Sequence, residues 1–446
     1  MCSLLCLLPV AAEGQVAASE GQSTYTLPYV RQKPGDRWTQ VLSEGGMIRQ
    51  PGSPWYLTMT NGLSDLMVMN YVDGYSFGPH STLGYIGRNR QRWELEETIR
   101  WAGSRNTWLA KGALRWYNPI EQGVMLELHG GRHTEDFDHE PTMMTEQSLL
   151  ATGLFGWNHY KLLERTDVGL RFALPLNQTI DLKGGLSWER RRAMTNHKET
   201  NVFGVRAESN EPRLRYGNTA SDLVCYDGPI DGDMALLSLE LQWSPNRLVY
   251  VFDDMTSRSA TNLASWTLRT DVGMGKWHYA SLGLSVKQNL DLSRRDDDIV
   301  RYSLSAGGIL KHGEIGLADW HHLDASRFWW QGKESLTRFV LLDNYELSTD
   351  RQWFDAHVEW CSDMMLLTQW IQESQLMREY IQAHLAKVPQ HRTHWELQYG
   401  IELIQYWRLG VAIGWDGLTC RGAAFTMTLD AGANREARRR TTSLQQ

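Results

Sequence analysis

Apolar and polar side chains alternate along most of this chain after about residue 75. In residues 353–360, for example, Phe354, Ala356, Val358 and Trp360 share one phase, and Asp355, His357 and Glu359 share the other. Successive side chains of a β-strand point to opposite sides, so a period of two predicts a strand with one apolar and one polar face. The same pattern recurs in residues 108–116, 180–188, 237–243, 395–403 and 407–415.

In several of these segments the apolar phase begins or finishes with tryptophan, as Trp188, Trp243 and Trp415 illustrate. Amphipathic rings at the ends of an apolar face are typical of strands whose outer side meets lipid and whose ends meet head groups. Counting the alternating segments gives roughly sixteen strands. The pattern therefore predicts an all-β fold, an antiparallel transmembrane β-barrel of about 16 strands.

Composition agrees with a barrel and excludes a helical membrane protein. The chain has 20 Trp, 17 Tyr and 10 Phe in 446 residues, and its mean hydropathy is −0.44. After the N-terminus it has no apolar run of about 18 residues, the length that a spanning helix needs. A tryptophan-rich soluble β protein, such as a propeller, is the alternative. The net charge of −7 and the scattered basic residues argue against a nucleic-acid partner.

Several blocks of sequence, in order along the chain, resemble one protein family. They are His159-Tyr160-Lys161-Leu162, Gly185-Leu186-Ser187-Trp188-Glu189, Phe339-Val340-Leu341-Leu342, Ser348-Thr349-Asp350-Arg351 and Ala356-His357-Val358-Glu359. These blocks are similar to the DUF5686 family of Bacteroidota, whose members usually carry a carboxypeptidase-regulatory-like domain ahead of an Omp85-like outer-membrane barrel. The resemblance covers roughly residues 55–430, the barrel part only. It implies a location in the outer membrane of a Gram-negative cell, with membrane lipid and envelope proteins as partners.

Four regions follow from these patterns. Residues 1–22 contain an apolar run without a basic start, and are either the remnant of a signal peptide or a disordered N-terminus. Residues 23–54, rich in Gly, Ser and Pro, are interpreted as a linker. Residues 55–430 form the predicted barrel, and residues 431–446 a disordered basic tail.

The segments between strands give three more expectations. The polar stretches 133–147, 195–232 and 294–298 are predicted to be the long loops on the extracellular side. Residues 366–388 have a helical period, but the resemblance implies a strand that starts near Arg378, and we favour the strand. The last strand is placed at residues 422–430, with Thr426 and Thr428 on one face and Phe425 on the other.

Candidate chemistry is sparse, and no catalytic, cofactor-binding or metal-binding residue is predicted. The nearest approach to a metal site is His129, His133, Asp136, Asp138, His139 and Glu140. The two histidines, at positions i and i+4 of a strand, are about 13 Å apart and cannot share one ion. The acidic residues are interpreted as a solvated loop, and Trp320-His321-His322 as a strand end. A Cys225–Cys420 disulfide is possible but has no support.

The polar phases of the predicted strands supply the remaining candidates. The side chains expected to face the lumen are Lys183, Glu189, Glu240, Lys287, His357, Glu359, Glu396, Glu402 and Arg408. Charges inside a barrel require water or a partner of opposite charge. They fit a lumen braced by ion pairs as well as they fit a conducting pore.

Three functions are compatible with the sequence. The resemblance favours a barrel that takes part in envelope biogenesis or in export across the outer membrane. The second is a non-catalytic structural or binding barrel that displays extracellular loops, as a surface antigen does. The third, an enzyme with its active site at the rim, is disfavoured because no GxSxG elbow and no paired-carboxylate motif stands out in the sequence.

Overall fold

The computed structural model describes most of the chain between residues 46 and 429. The described residues are 46–49, 52–59, 66–87, 91–118, 124–138, 151–201, 203–218, 222–245, 248–252, 255–259, 264–292, 298–331, 335–362, 377–403 and 407–429. The predicted signal remnant and basic tail, as well as His139 and Glu140, lie outside these residues.

Strands dominate the described residues, which confirms the predicted all-β class. They are β1 Gly46–Arg49, β2 Trp55–Met59, β3 Met67–Asn70, β4 Gly74–Phe77, β5 His80–Ile86, β6 Arg92–Ala102, β7 Thr107–Asn118, β8 Val124–Asp136, β9 Leu162–Pro175, β10 Ile180–Ala193, β11 Arg213–Arg215, β12 Leu223–Cys225, β13 Gly232–Trp243, β14 Leu248–Phe252, β15 Met255–Ser259, β16 Ser265–Gly275, β17 His278–Asp291, β18 Ile299–His312, β19 Trp330–Gln331, β20 Gln352–Ser362, β21 Met377–Lys387, β22 His394–Leu403, β23 Trp407–Asp416 and β24 Thr419–Leu429.

Helical structure within these ranges is limited to a π-helical turn, Ala151–Phe155, and a 3-10 turn, Leu317–Asp319. Neither is long enough to cross a membrane, and no other helix among the described residues is a candidate span.

Twenty strands form one sheet, in which the long strands pair antiparallel with their neighbours along the chain. The predicted count of about sixteen is therefore wrong for the sheet as a whole. Its four shortest strands, β1, β3, β4 and β19, have only two to four residues. Such short strands cannot show an alternating pattern, so the sequence does not reveal them. The pairings among the described residues do not join β24 to β1 or β2, and closure of the barrel stays a prediction.

The distribution of apolar and charged side chains over the two faces of the sheet is the reverse of that in a soluble protein. On β13, Leu237, Leu239 and Leu241 are 36–37% exposed, whereas Glu189 of β10 and Glu359 of β20 are fully buried. Leucine on the outside and carboxylates on the inside is the arrangement expected when the outer side meets an apolar medium. The alternation read from the sequence thus separates an outward apolar face from an inward polar face.

Between β18 and β20, residues 313–331 and 335–351 fold against the inward face of the sheet, and Trp330–Gln331 (β19) pairs in parallel with β24. We call residues 313–351 the inserted segment. Leu317, Phe339 and Leu342 are fully buried in it, and the last two share a core cluster with Trp277 and Trp353. The prediction that Trp320-His321-His322 is a strand end is wrong, because these residues follow the 3-10 turn inside this segment. This segment is buried because the run Phe339–Leu342 is entirely apolar and has no alternating polar side chains that could face water.

Register fixes which loops share an end of the sheet. Residue pairs Asp136↔Leu162 and Arg191↔Gly232 place residues 137–161 and 194–231 at one end, which we call the loop end. The pair Asp291↔Ile299 places residues 292–298 at the opposite end. The prediction that 294–298 accompanies the other two long loops is therefore wrong, because an odd number of strand reversals separates them.

Three smaller predictions have clear outcomes. The predicted linker contains β1, which pairs with β2, so residues 46–49 belong to the sheet. The strand near Arg378 is confirmed as β21. The last strand begins at Thr419 rather than at 422, and its faces are as predicted, since Thr426 is 4% and Phe425 52% exposed.

Candidate functional site

The inserted segment is bound to the sheet by a carboxylate that accepts two of its backbone N–H groups. Glu396 of β22 accepts from Val340 at 2.8 Å and from Leu341 at 2.9 Å. His394, two residues earlier on the same face, lies 2.9 Å from Glu396 and 2.8 Å from Asp416 of β23. Charge-assisted hydrogen bonds of this kind are about twice as strong as neutral ones, so Glu396 holds the Phe339–Leu342 run in place.

A second anchor lies at the loop end, where arginines surround Glu346 of the inserted segment. Arg215 donates to Glu346 at 2.8 Å, and Arg421 donates to Glu346 at 2.6 Å and to the carbonyl oxygen of Leu341 at 2.8 Å. Both guanidinium groups also reach Asp416, at 3.1 and 3.3 Å. The four charged side chains are 6% exposed or less, so they balance one another out of contact with water.

The start of the inserted segment is held by a third group of charges. Asp319 accepts from Arg191 of β10 at 2.8 Å and from the Tyr279 hydroxyl of β17 at 2.7 Å. Arg191 and Arg165 both pair with Glu189, which is fully buried. Carboxylates and guanidiniums alternate here, and each buried charge therefore has an opposite charge beside it.

Glu359 of β20 is the centre of a fourth group, away from the inserted segment. It accepts from Arg408 at 2.8 Å, from Arg301 at 2.8 Å, from Gln382, and from the thiol of Cys361 at 3.0 Å. The guanidinium of Arg408 also lies over the Tyr380 ring and bonds Glu402 at 2.8 Å.

Three histidines surround the ring of Phe339, which the inserted segment carries. The centroid of that ring is 5.1 Å from His357, 5.7 Å from His384 and 5.7 Å from His394. His357 lies 3.1 Å from Asp355 on one side and 2.9 Å from His384 on the other. A carboxylate and two imidazoles thus form a continuous hydrogen-bonded chain beside the inserted segment.

A cavity of about 1260 Å³ remains between the inserted segment and strands β13, β16, β17, β18 and β20. Small hydroxyl side chains line much of it, namely Ser244, Ser265, Thr267, Ser281, Ser285, Ser303 and Ser305. Asp319 and Arg338 of the inserted segment border the same space. A polar space of this size holds many water molecules.

The nine predicted lumen residues fall into two groups. Five are 8% exposed or less and take part in the contacts above: Glu189, His357, Glu359, Glu396 and Arg408. Of the others, Glu402 pairs with Arg408, Lys183 pairs with Glu240 at 2.8 Å, and Glu240 and Lys287 line the cavity.

Sequence reasoning missed the charges that hold the inserted segment, among them Arg191, Arg215, Asp319, Glu346 and Arg421. Arg191 could have been found, since it shares the polar phase of β10 with Lys183 and Glu189. Arg215 lies in the three-residue strand β11, Asp319 and Glu346 lie in the inserted segment, and Arg421 lies beside the β23–β24 register shift, and in none of these places does alternation give a signal.

The residues considered for a metal site have structural partners. Asp136 ends β8, is 7% exposed and accepts a hydrogen bond from Tyr345, so the prediction of a solvated loop is wrong for it. His129 lies 3.5 Å from both Glu127 and Asp167, inside the sheet's polar face. Within the described ranges, no three His, Cys, Asp or Glu side chains are placed to hold a metal ion. Cys225, Cys361 and Cys420 are free thiols, so a Cys225–Cys420 disulfide is not formed.

At the loop end, aromatic rings pack around Phe328 of the inserted segment. Trp157 and His159 contact this ring with centroids 5.6 and 5.5 Å away. Burial lowers the pKa of His159 to about 4, and the neighbouring Lys161 acts in the same direction, whereas Glu208 opposes them. His159 is therefore a neutral packing residue at neutral pH.

Comparison with solved structures gives similarity to outer-membrane proteins at low identity. The chain is similar to BamA from Haemophilus ducreyi lacking POTRA domains 1–3, with 10% identity, a TM-score of 0.42, and coverage of 86% of this chain and 70% of that one. It is also similar to CdiB from Acinetobacter baumannii (9% identity, TM-score 0.37, 86% and 58% covered). CdiB from Escherichia coli gives 11% identity and a TM-score of 0.36, with 85% and 62% covered.

No curated protein matches the sequence. The family model described as "Family of unknown function (DUF5686) C-terminal domain" matches residues 39–401, most of the chain. That match confirms the resemblance carried by the sequence blocks. The chain therefore belongs to the DUF5686 family, whose C-terminal domain it contains.

Proposed function

We propose that this chain is an outer-membrane β-barrel of the DUF5686/Omp85-like type that takes part, without catalysis, in envelope biogenesis or in export across the outer membrane. The observation that carries the proposal is the inversion of the sheet. An apolar outward face and a buried, charged inward face are stable together when lipid lies outside and the polar groups find partners inside.

Tryptophan pairs support the placement in a membrane. On the outward face of β6 and β7, Trp93 contacts Trp116 at one end and Trp101 contacts Trp108 at the other. Eight residues separate Trp93 from Trp101, which is about 26 Å along a strand. Once a strand tilt of about 40° is included, this length covers about 20 Å, most of the apolar band of roughly 25 Å in outer-membrane barrels.

The inserted segment supports a role in export. It fills part of the lumen, and the cavity beside it is already polar and roomy. Displacing the segment would join this cavity to the loop end, so the segment is suited to act as a gate for the lumen. Membrane lipid and envelope proteins in trans are the proposed partners.

The test combines localisation with conductance. The parent chain should fractionate with outer membranes and migrate faster in unboiled than in boiled detergent samples. In planar bilayers, Glu396→Ala should raise the conductance several-fold, because two N–H groups of the inserted segment lose their acceptor. Ser285→Ala, which lines the cavity but is not part of the anchor at Glu396, is the control and should leave conductance unchanged.

The alternative is a structural or binding barrel whose lumen never opens. The density of buried ion pairs around Glu346 and Asp319 favours it, since such pairs fix one arrangement. A second variant, in which a short linker replaces residues 318–347, is compared with Glu396→Ala. If both variants insert into membranes but conduct no better than the parent, the export proposal fails and the alternative stands. Recovery of the parent chain as a soluble monomer without detergent would contradict both.

A further inference from the structure

A carboxylate lies on the outward apolar face of β6, halfway between the two tryptophan pairs. The outward phase of this strand is Trp93, Leu95, Glu97, Ile99 and Trp101, and Glu97 is as exposed as the leucine and isoleucine beside it. The tryptophan pairs mark the two edges of the apolar band. Glu97 is therefore at its centre, where an ionisable side chain is least favourable and marks a functional contact.

The structure gives Glu97 a weak local partner. The Ser81 hydroxyl of β5 donates to it at 3.2 Å, in an exposed position. Glu379, another carboxylate on an outward phase, shows the contrast, because it is fully buried and accepts from the Tyr399 hydroxyl. Glu97 therefore faces the bilayer with acceptor capacity to spare, since the Ser81 hydroxyl is the donor that the described residues offer it.

The surface beside Glu97 is a shallow depression. Gly112 of β7 lies directly opposite Glu97, and Gly130 of β8 lies directly opposite Gly112. A Cβ atom on Gly112 would have the backbone oxygen of Glu96 as its nearest neighbour, at 3.7 Å, so the space above it is open. Small residues on a lipid-facing surface allow the backbone of another membrane protein to approach closely.

A positive charge lies on the other side of the same depression. Arg132 follows Gly130 by two residues on the outward phase of β8, and its side chain is 45% exposed. One of its nitrogens bonds Glu164 at 2.9 Å. A guanidinium has five N–H donors, so Arg132 can bind a second carboxylate. The strip formed by Glu97, Gly112, Gly130 and Arg132 therefore carries both signs of charge, one on each side of β7.

We propose that this strip is the surface through which two copies of the chain contact each other in the bilayer, with Glu97 of each copy pairing with Arg132 of the other. A twofold interface brings the same patch of both copies together, and it requires a self-complementary surface. The strip meets that requirement, because its carboxylate and its guanidinium lie on opposite sides of β7. The inference rests on the proposed membrane location.

Cross-linking between two cysteines placed close to the proposed twofold axis tests the proposal. Gly112→Cys, in a background whose native cysteines are replaced by serine, should give a disulfide-linked product of twice the chain mass in outer membranes under oxidising conditions. Leu284→Cys, which is equally lipid-facing on β17, is the control and should stay monomeric. Equal cross-linking at both positions would overturn the inference. So would the absence of cross-linking at Gly112→Cys in protein that inserts and shows heat-modifiable migration. Either result would leave the proposed function intact.

Charge reversal in the Gly112→Cys chain then identifies the pairing. Glu97→Arg and Arg132→Glu should each reduce cross-linking at least tenfold, because like charges would meet, and the double reversal should restore it to within twofold. Heat-modifiable migration of each variant reports folding. Failure of the double variant to recover, or products containing a different protein, would contradict a contact between copies. Absence of the parent chain from outer membranes would instead remove the proposed function, and this inference with it.

Discussion

Two walls on the inward face of the sheet are built in opposite ways. The charged wall, formed by the inward faces of β20 to β23, carries long ionisable side chains that pair with one another, such as Glu359 with Arg408. The hydroxyl wall, formed by the inward faces of β16 to β18, carries mainly serine and threonine. The inserted segment is bound through Glu396 to the charged wall, and the cavity is bordered by the hydroxyl wall.

The difference shows how side-chain size decides what can pack against the inward face of the sheet. Long charged side chains fill space, and each requires a partner, so a wall made of them fixes whatever it touches. Serine and threonine leave room, and their hydroxyls are satisfied by water at small cost. The inward face therefore borders a packed core at the charged wall and a wet compartment at the hydroxyl wall.

The largest expected effect comes from removing a charge from the charged wall. Glu359→Ala should lower the free energy of unfolding by about 3–5 kcal/mol, because it leaves Arg408 and Arg301 without their shared carboxylate. Ser285→Ala, on the hydroxyl wall, should change it by less than about 0.5 kcal/mol. Urea unfolding in detergent, followed by tryptophan fluorescence, measures both. Equal losses would mean that the two walls do not differ in packing.

The next effect concerns the outward face of the same sheet. Leu241→Arg should cost about 2–4 kcal/mol if Leu241 lies near the bilayer midplane, since lipid cannot solvate the charge. Glu240→Arg, one residue away but facing the cavity, should be mild because water reaches it. Folding into liposomes measures the two variants. If they are equally harmful, the assignment of faces is wrong.

A smaller effect is expected from acid at the loop end, where the inserted segment packs against His159. The pKa of this histidine is lowered from 6.5 to about 4 in the folded chain, so folding favours the neutral form. Its contribution is complete above pH 6.5 and is lost as the pH falls towards 4, by at most about 3 kcal/mol. Hydrogen exchange around Phe328 between pH 7 and 4 measures it, and His159→Phe should remove this part of the pH dependence. A pH response that His159→Phe leaves unchanged would assign it to other groups.

The smallest effect is expected at the edge of the cavity. Lys183 and Glu240 pair at 2.8 Å, but their side chains are 50% and 30% exposed. Water screens such a pair, so Lys183→Ala should cost less than about 1 kcal/mol. A cost comparable to that of Glu359→Ala, measured in the same unfolding assay, would show that this part of the lumen is as dry as the charged wall.

Part of the site could be predicted from the sequence. Alternation alone placed Glu359, His357 and Glu396 on the inward face, because a period of two is a local property of an extended backbone. The strand at β21 required more, since its local period is helical and its sheet neighbours decide the outcome. The charges at Arg215 and Glu346 could not be predicted, because 131 residues separate them and only the folded chain brings them together.

The sequence by itself determined which side chains share a face, where most strands run and to which family the chain belongs. Those features depend on neighbours along the chain or on residue identity. Only the tertiary structure decided that most of the inserted segment packs against the sheet instead of extending it, and that one wall is packed and the other open. These outcomes depend on which distant side chains can satisfy a buried charge or an N–H group, and that information does not lie in any single stretch of sequence.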